Sequence, residues 1–389
     1  MTTEKLYYAD SYLHEFTAKV LECRKLEGDG GFAVLLDKTA FFPEGGGMPA
    51  DTGRIGNAKV TDVQEVKGEI LHYTDTELHT GDICSCVLDY EQRLRHMQNH
   101  SGEHIFSGIA HTLYGVDNVG FHTGADFMTI DFNKELTWDE LSNIEYRANE
   151  AVRANLNVCA WYPEPDELAG MEYRSKLELT ENVRIVEIEG IDRCACCAVH
   201  VTHTGEIGMI KLLESERHRG GVRLTLVCGM DALDAVKIMQ GSVVGVSKQL
   251  SAKRAEIESA VERVLAQEQR YKERIAQLSM MNIRLIAAGF EPREGSICVF
   301  DDGTLDEIAL RELVNLLCEK CTGAAAVFSG SDESGYKYII GSRHIDLRRR
   351  TKEINSAIDG RGGGSSEMIQ GRSTGKRIKV QEFVETALV

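Results

Sequence analysis

His100 and His104 stand four residues apart in the run Arg95-His96-Met97-Gln98-Asn99-His100-Ser101-Gly102-Glu103-His104. On a helix that spacing sets two imidazoles on one face, about 5–6 Å apart. They could then share one zinc ion at Zn–N distances of about 2.0–2.1 Å. Much further along, Cys194-Ala195-Cys196-Cys197-Ala198-Val199-His200 repeats the spacing, with Cys196 and His200 four apart. A His pair and a Cys/His pair complete a four-ligand tetrahedral set, structural if closed, catalytic if water takes a loose position. Cys194 and Cys197 compete with Cys196, and spacing does not choose among the three. His100 to His104 also spells H-x-x-E-H, the inverted zinc-protease pattern, with Glu103 as general base. That pattern leaves the Cys/His element unexplained. Cys318-Glu319-Lys320-Cys321 has no second pair and reads as incidental on a helix.

The pairs must be positioned by something. From Glu91, apolar residues Leu94, Met97, Ile105, Ile109 and Leu113 recur at helical spacing, so His100 and His104 belong to a helix. Before it, Lys19 to Cys23, Gly31 to Leu36, Lys59 to Val66, Glu69 to Tyr73 and Cys84 to Leu88 read as short strands. Asp29-Gly30-Gly31, Glu44 to Gly47 and Thr80-Gly81-Asp82 separate them, which predicts a small barrel or curled sheet. Strands at Phe127 to Phe132, Val183 to Ile188 and Val222 to Val227, and a helix over Trp138 to Asn155, predict an α+β domain ending near residue 235.

Val243, Leu250, Ile257, Val264, Tyr271 and Leu278 then follow at steps of seven, with Val246, Val261 and Ile275 beside them and no proline from Asp231 to Gly289. The spacing predicts a long coiled-coil-like helix or a helical hairpin over 236–285. Arg254 and Glu268 weaken one seam position. Beyond it, Ser296 to Phe300, Ala324 to Phe328 and Tyr336 to Gly341 read as strands, Asp306 to Lys320 and Leu347 to Ile358 as helices, and Gly360-Arg361-Gly362-Gly363-Gly364 as a glycine-rich loop. Four segments are therefore expected: a barrel over 1–90, a zinc-binding α+β domain over 91–235, the long helix over 236–285, and a C-terminal α/β domain over 286–389.

Length and composition are those of a globular protein: 389 residues, 42% hydrophobic and 27% charged. No apolar run approaches the ~20 residues that span a bilayer, and the first residues carry no secretory pattern. The expectation is a cytoplasmic protein with no membrane partner. Eleven cysteines, an odd number, argue against a disulfide framework. The net charge of −17 does not itself favour nucleic acid, so RNA contact needs a local basic patch. Between Arg343 and Lys379 basic residues outnumber acidic ones, although a solvated helix face is the favoured reading of such a run taken alone.

Several stretches together resemble the editing-domain family of alanyl-tRNA synthetase. Thr39-Ala40-Phe41-Phe42-Pro43-Glu44-Gly45-Gly46-Gly47, then Asp51-Thr52-Gly53, looks like the signature opening that domain. His100 with His104 looks like its first ligand pair, and Cys196 to His200, continuing to Gly208, like its second. Gly120-Phe121-His122-Thr123-Gly124 is similar to the free-standing AlaX editing proteins. Gly360 to Gly371 resembles the DHH-associated domain at the end of the long AlaX form. The chain departs from the pattern at Met48, at Ala198-Val199 and at Arg372.

This resemblance implies a trans-editing hydrolase that deacylates alanine tRNA mischarged with serine or glycine. It implies one zinc ion held by His100, His104, Cys196 and His200, and so selects Cys196. Thr39 matches the threonine credited with reading the serine hydroxyl; the plainer reading is a β-branched strand residue. Gly45, Gly46 and Gly47 would let the tRNA 3′ end approach the backbone, or merely form a tight turn. Arg361, Gly362, Gly363, Gly364 and Arg372 would contact tRNA, and a homodimer would form through the long helix or the C-terminal domain. The chain opens at the barrel, with no room for a synthetase catalytic core, so aminoacylation is not expected. The alternatives are editing of Ser-tRNA(Thr) and a non-catalytic RNA-binding module with structural zinc.

Overall fold

The computed structural model describes residues 3–28, 31–124, 126–175 and 183–388, and the separator Asp29-Gly30 lies outside them. The chain divides into two compact units, Met1–Gly245 and Val246–Val389.

In the first unit the short strand β1 (Glu4–Lys5) leads into the long β2 (Glu15–Lys25), β3 (Phe32–Leu36) and the short β4 (Lys38–Thr39), which pairs parallel with β1. β5 (Gly53–Ile55), β6 (Ala58–Val66), β7 (Glu69–Thr74) and β8 (Ile83–Leu88) follow, and a closed barrel runs β2-β3-β7-β6-β5-β8. Alternate residues point inward, as strand pleating requires: Ala58 and Val60 of β6, Ile70 and His72 of β7, and Cys86 and Leu88 of β8 are buried. At three residues β5 is too short to show alternation in sequence, yet it joins β6 to β8.

Helix α1 (Tyr90–Tyr114) starts where the Asp89 carboxylate accepts the Gln92 N–H and ends on Gly115 at φ 60°. Residues 99–110 are all buried, so this helix runs through the interior. The strands β9 (Asn118–Thr123) and β10 (Met128–Phe132) come next, then α2 (Trp138–Ala154), opened by a Thr137–Glu140 capping box. β11 (Val158–Trp161), the short α3 (Pro165–Ala169), β12 (Ile185–Ile188) and β13 (Asp192–Ala195) follow, and β11-β12-β13 make a three-stranded antiparallel sheet. β14 (Ile210–His218) and β15 (Gly221–Cys228) complete a second sheet, β14-β15-β10-β9. One apolar core, from Tyr7 to Cys228, joins barrel, α1 and sheets. Arg93 of α1 ties them further. Its guanidinium, fully buried, bonds both Asp51 carboxylate oxygens, Ser11 O and Ala40 O, while the Phe42 N–H donates to Asp51.

The stretch expected as one long helix or a helical hairpin holds two helices, α4 (Gly229–Gln249) and α5 (Ile257–Ala288). Heptad spacing records which residues are apolar, not whether the backbone is continuous. Ser251 takes φ 49°, the Ser247 hydroxyl donates to Ala252 O, and the helical path stops there. The seam residues Val261, Val264, Tyr271, Ile275 and Leu278 on α5 are exposed.

The second unit is a five-stranded sheet with helices on both faces. β16 (Ile297–Asp301), α6 (Glu307–Cys318), β17 (Ala325–Ser331), β18 (Gly335–Gly341), α7 (Leu347–Ala357), β19 (Gly360–Gly364), β20 (Met368–Ser373) and α8 (Arg377–Ala387) give strand order β16-β17-β18-β20-β19. α6 and the end of α5 cover one face, α7 and α8 the other. Gly360–Gly364, read from sequence as a loop, is thus an edge strand. Glycine disfavours strands in general, but this pairing demands it. A Cβ at Gly362, Gly364 or Gly371 would lie 2.2–2.3 Å from a carbonyl oxygen across the pair. Among the described residues no helix is long and apolar enough to cross a membrane.

Candidate metal centre

Two elements deliver the candidate ligands. α1 carries His100 and His104 one turn apart. The turn after β13 carries Cys196 and His200. That turn is fixed from several sides: Arg184 Nη1 donates to Cys196 O at 3.0 Å and Ala198 O at 2.7 Å, Tyr8 donates to Cys197 O at 3.1 Å, and Ser11 to His200 O at 3.1 Å. One ligand atom from each of His100, His104, Cys196 and His200 lies within 4.8 Å of the others. His100 Nε2 is 3.2 Å from Cys196 Sγ. The three imidazole centroids are 4.7–5.2 Å apart.

The residues present fit a soft divalent cation. A thiolate with three imidazoles is a zinc-type donor set, and His200 Nε2 and His100 Nδ1 are buried with no hydrogen-bond partner among the described residues. Burial would raise the Cys196 pKa, but the surrounding imidazoles of His100, His104 and His200 outweigh it and hold the thiol well below its usual range. Burial lowers His200 to about 3, so it stays neutral with a lone pair to give. Cys194 differs: burial pushes its thiol up to about 11. Cys197 is exposed.

Outer partners select which nitrogen His104 and His200 present. Asp192 Oδ2 accepts from His104 Nδ1 at 2.9 Å, and Arg174 grips the same carboxylate twice, at 2.7 and 2.8 Å. Burial opposes charge on His104, yet the Asp192 carboxylate prevails and holds the His104 pKa well above the ordinary value. Ser101 Oγ accepts the Val201 N–H and lies 3.2 Å from His200 Nδ1. Both rings therefore turn Nε2 toward the group. Asp192, Arg174 and Ser101 were not singled out in the sequence. Ser101 sits inside the motif and Asp192 on the strand that delivers Cys196, but a lone Asp or Arg carries no spacing signal.

A cavity of about 700 Å³ opens on the group and is lined by Gly46, Gly47, Glu103, Phe121, Tyr162 and Arg184 among others. Glu103 Oε1 accepts from Ser107 at 2.7 Å and from Asn118, and Oε2 is 3.8 Å from His104 Nε2. Gly45 and Met48 exchange backbone hydrogen bonds in a tight turn. Gly46 and Gly47 have φ of 62° and 83°, and a Cβ on Gly47 would lie 2.5 Å from the Phe121 ring.

Thr39 is placed differently. It is fully buried and does not line that cavity. His72 Nδ1 donates to Val34 O, so its Nε2 accepts the Thr39 hydroxyl at 2.8 Å, while the Phe41 N–H donates to Thr39 Oγ1. Burial lowers the His72 pKa to about 4, which keeps that ring neutral.

In the second unit Arg361 of β19 pairs in register with Arg372 of β20, and Arg372 with Lys337 of β18. Directly paired residues share a face, so three cations form a row across the sheet. All three are exposed, and none has an ion pair among the described residues. The neighbouring Arg343, Arg349, Arg350 and Lys379 are instead paired with Glu319, Asp346, Glu353 and Asp359. Lys337 lay outside the basic run that the sequence marked.

A family model described as threonyl and alanyl tRNA synthetase second additional domain matches residues 183–224, and one described as tRNA synthetases class II (A) matches residues 2–92. An alanine–tRNA ligase of Halobacterium salinarum is 34% identical over 362 residues, 87% of this chain and 38% of that protein. The alanyl-tRNA editing protein AlaX-L of Pyrococcus horikoshii is 28% identical over 404 residues, 99% of this chain and 97% of that protein. The chain spans about two fifths of the ligases it matches. The C-Ala domain of Aquifex aeolicus alanyl-tRNA synthetase covers 25% of this chain and 93% of its own at 16% identity, with a TM-score of 0.21, too slight a likeness to carry an argument.

Proposed function

We propose that this chain, a relative of the alanyl-tRNA synthetase editing-domain family that resembles its long AlaX form from end to end, hydrolyses the ester joining a wrong amino acid to alanine tRNA. Serine is the expected amino acid, glycine the second. The observation that carries the reading is the gathering of His100, His104, Cys196 and His200 into one group, of which His100, His104 and Cys196 line the cavity. These four would hold zinc, which when bound can polarise an ester carbonyl or lower the pKa of water.

The chain's own residues supply the rest. Asp192 and Ser101 keep Nε2 of His104 and His200 directed at the group. Gly46 and Gly47 leave the wall without side chains, so the tRNA end can approach the backbone. Glu103, buried beside His104, accepts at Oε2 the proton of the water that attacks the ester carbon. That proton passes to the departing ribose oxygen, leaving a free amino acid and uncharged tRNA. Arg372, Arg361 and Lys337 contact the tRNA backbone, with Gly362, Gly363 and Gly364 allowing close approach along the edge. A homodimer would use the exposed α5 seam; sedimentation as a monomer at micromolar concentration removes it.

The deciding assay follows release of amino acid from Ser-, Gly- and Ala-charged alanine tRNA and Ser-charged threonine tRNA by zinc-loaded protein. Release from the first two alone is the expected result. Release from Ser-tRNA(Thr) would favour the second reading, for which the matched model's threonyl description speaks. No release, with zinc bound, would leave a non-catalytic module.

A further inference from the structure

Arg184 stands just before β12 and is only 9% exposed. Its Nη1 braces the ligand-bearing turn through Cys196 O and Ala198 O. Its Nε and Nη2 have no hydrogen bond, and its charge no carboxylate, among the described residues. A buried guanidinium without a counter-ion is costly, so the position suits an anion from outside. The other lysine and arginine side chains of the same cavity, among the described residues, are committed: Lys5 to Glu65 at 2.9 Å, Arg174 to Asp192. Around Arg184 the wall is aromatic. Its guanidinium sits 4.8 Å from the centre of the Tyr8 ring, and Tyr8 meets Tyr162 edge to face at 6.1 Å. Tyr8 is pinned by its bond to Cys197 O, whereas Tyr162 is 52% exposed at the rim.

We infer that this corner binds the terminal nucleoside 5′-phosphate of the RNA, the phosphate on Arg184 and the base against Tyr162. The inference rests on the hydrolase reading above. In a charged tRNA the ester is on the terminal ribose and a phosphate hangs from the 5′ side of that same sugar. A phosphate must therefore lie one sugar from the reacting carbon. Among the described residues, Arg184, bonded to the carbonyl of Cys196, is the cation of this cavity with donors left over. Guanidinium offers two parallel donors to phosphate oxygens, and an exposed tyrosine face accepts any base by stacking.

The test uses zinc-loaded full-length protein and two probes, adenosine 5′-monophosphate and adenosine, with binding measured by calorimetry so that no turnover is needed. The monophosphate should bind about tenfold more tightly than adenosine. Tyr162→Ala should weaken both probes about fivefold or more. Arg184→Gln should erase the difference between them. In deacylation Tyr162→Ala should raise KM while kcat stays near the parent value. Because Arg184 also braces the turn, zinc content is measured in its variant; if zinc is lost, the parent's preference for the phosphorylated probe and the Tyr162→Ala result decide. Equal binding of the two probes to the parent, or parental affinity in Tyr162→Ala, overturns the inference. Deacylation by the parent with either of those results would sink the inference alone, whereas absence of deacylation would sink the hydrolase reading.

Discussion

The two units treat charge in opposite ways. In the first, Arg93, Asp51, Arg174, Asp192 and His104 are charged or polar groups in the interior, each tied to named partners. In the second, Lys337, Arg372 and Arg361 stand side by side on an exposed sheet face without an acid. Like charges opposite one another across strands destabilise a sheet. The interior arrangement suits work that needs fixed geometry, since buried partners hold a side chain in one orientation. The surface row suits work that needs a field, since mobile cations can meet phosphates along a path. Different perturbations should therefore damage the two units differently.

The largest effect is expected from Cys196→Ala with His200→Ala. Zinc content measured by elemental analysis should fall from about one per chain to none, and deacylation to background; unchanged zinc would remove the ligand assignment. Asp192→Asn leaves all four candidate ligands in place yet should weaken zinc about 10–100-fold in chelator competition, because the His104 ring would lose its fixed orientation. Parental affinity in that variant would show that Arg174 and Asp192 only pack. Against the second unit, Arg361→Gln with Arg372→Gln should weaken tRNA binding and flatten its dependence on the logarithm of salt by about one for each cation removed. An unaltered slope would mean that the row never meets phosphate.

The smallest effects concern Thr39 and His72. Thr39→Val should cost about 1–3 kcal/mol in denaturant unfolding, because His72 Nε2 is left buried without its donor. Parental stability with lost discrimination between Ser- and Ala-charged tRNA would instead put the hydroxyl on the substrate. His72 has its pKa held at about 4 by burial, below the ordinary 6.5. As pH falls between those values the unfolded chain takes up a proton that the folded chain refuses, so stability drops through that window and is fully present above it. The contribution is at most about 3 kcal/mol. His72→Gln should remove it, visible as a shallower fall in melting temperature between pH 6.5 and 4.

Much of the candidate centre was legible because its ligands carry a period. His100 with His104 stands out by spacing, and helical periodicity put that pair on α1; spacing offered Cys196 with His200 but left Cys194 and Cys197 open, and only the resemblance chose Cys196. The strands Phe32–Leu36, Ala58–Val66 and Glu69–Thr74 lie where alternation or β-rich composition placed them. What stayed hidden has no periodic trace. Asp192 reaches His104 only because β13 packs on α1. Lys337, Arg372 and Arg361 become neighbours only through register. The Gly360–Gly364 strand looked like a loop because its pairing partner, not its own propensity, makes it a strand. The break between α4 and α5 falls inside an unbroken heptad pattern, which speaks of apolar faces and not of the backbone at Ser251.

Gly108 lies one turn beyond His104, in the buried middle of α1, where glycine weakens a helix by about 1 kcal/mol relative to alanine. A Cβ there would lie 2.7 Å from the Asp192 Cβ and 2.7 Å from Ile191 O. A single added methyl would thus push away the carboxylate that orients His104. In a screen of random variants for lost metal, position 108 should score beside the ligands although it has no donor atom. Gly108→Ala should copy Asp192→Asn in chelator competition, a lesion transmitted by crowding across one helix–strand contact.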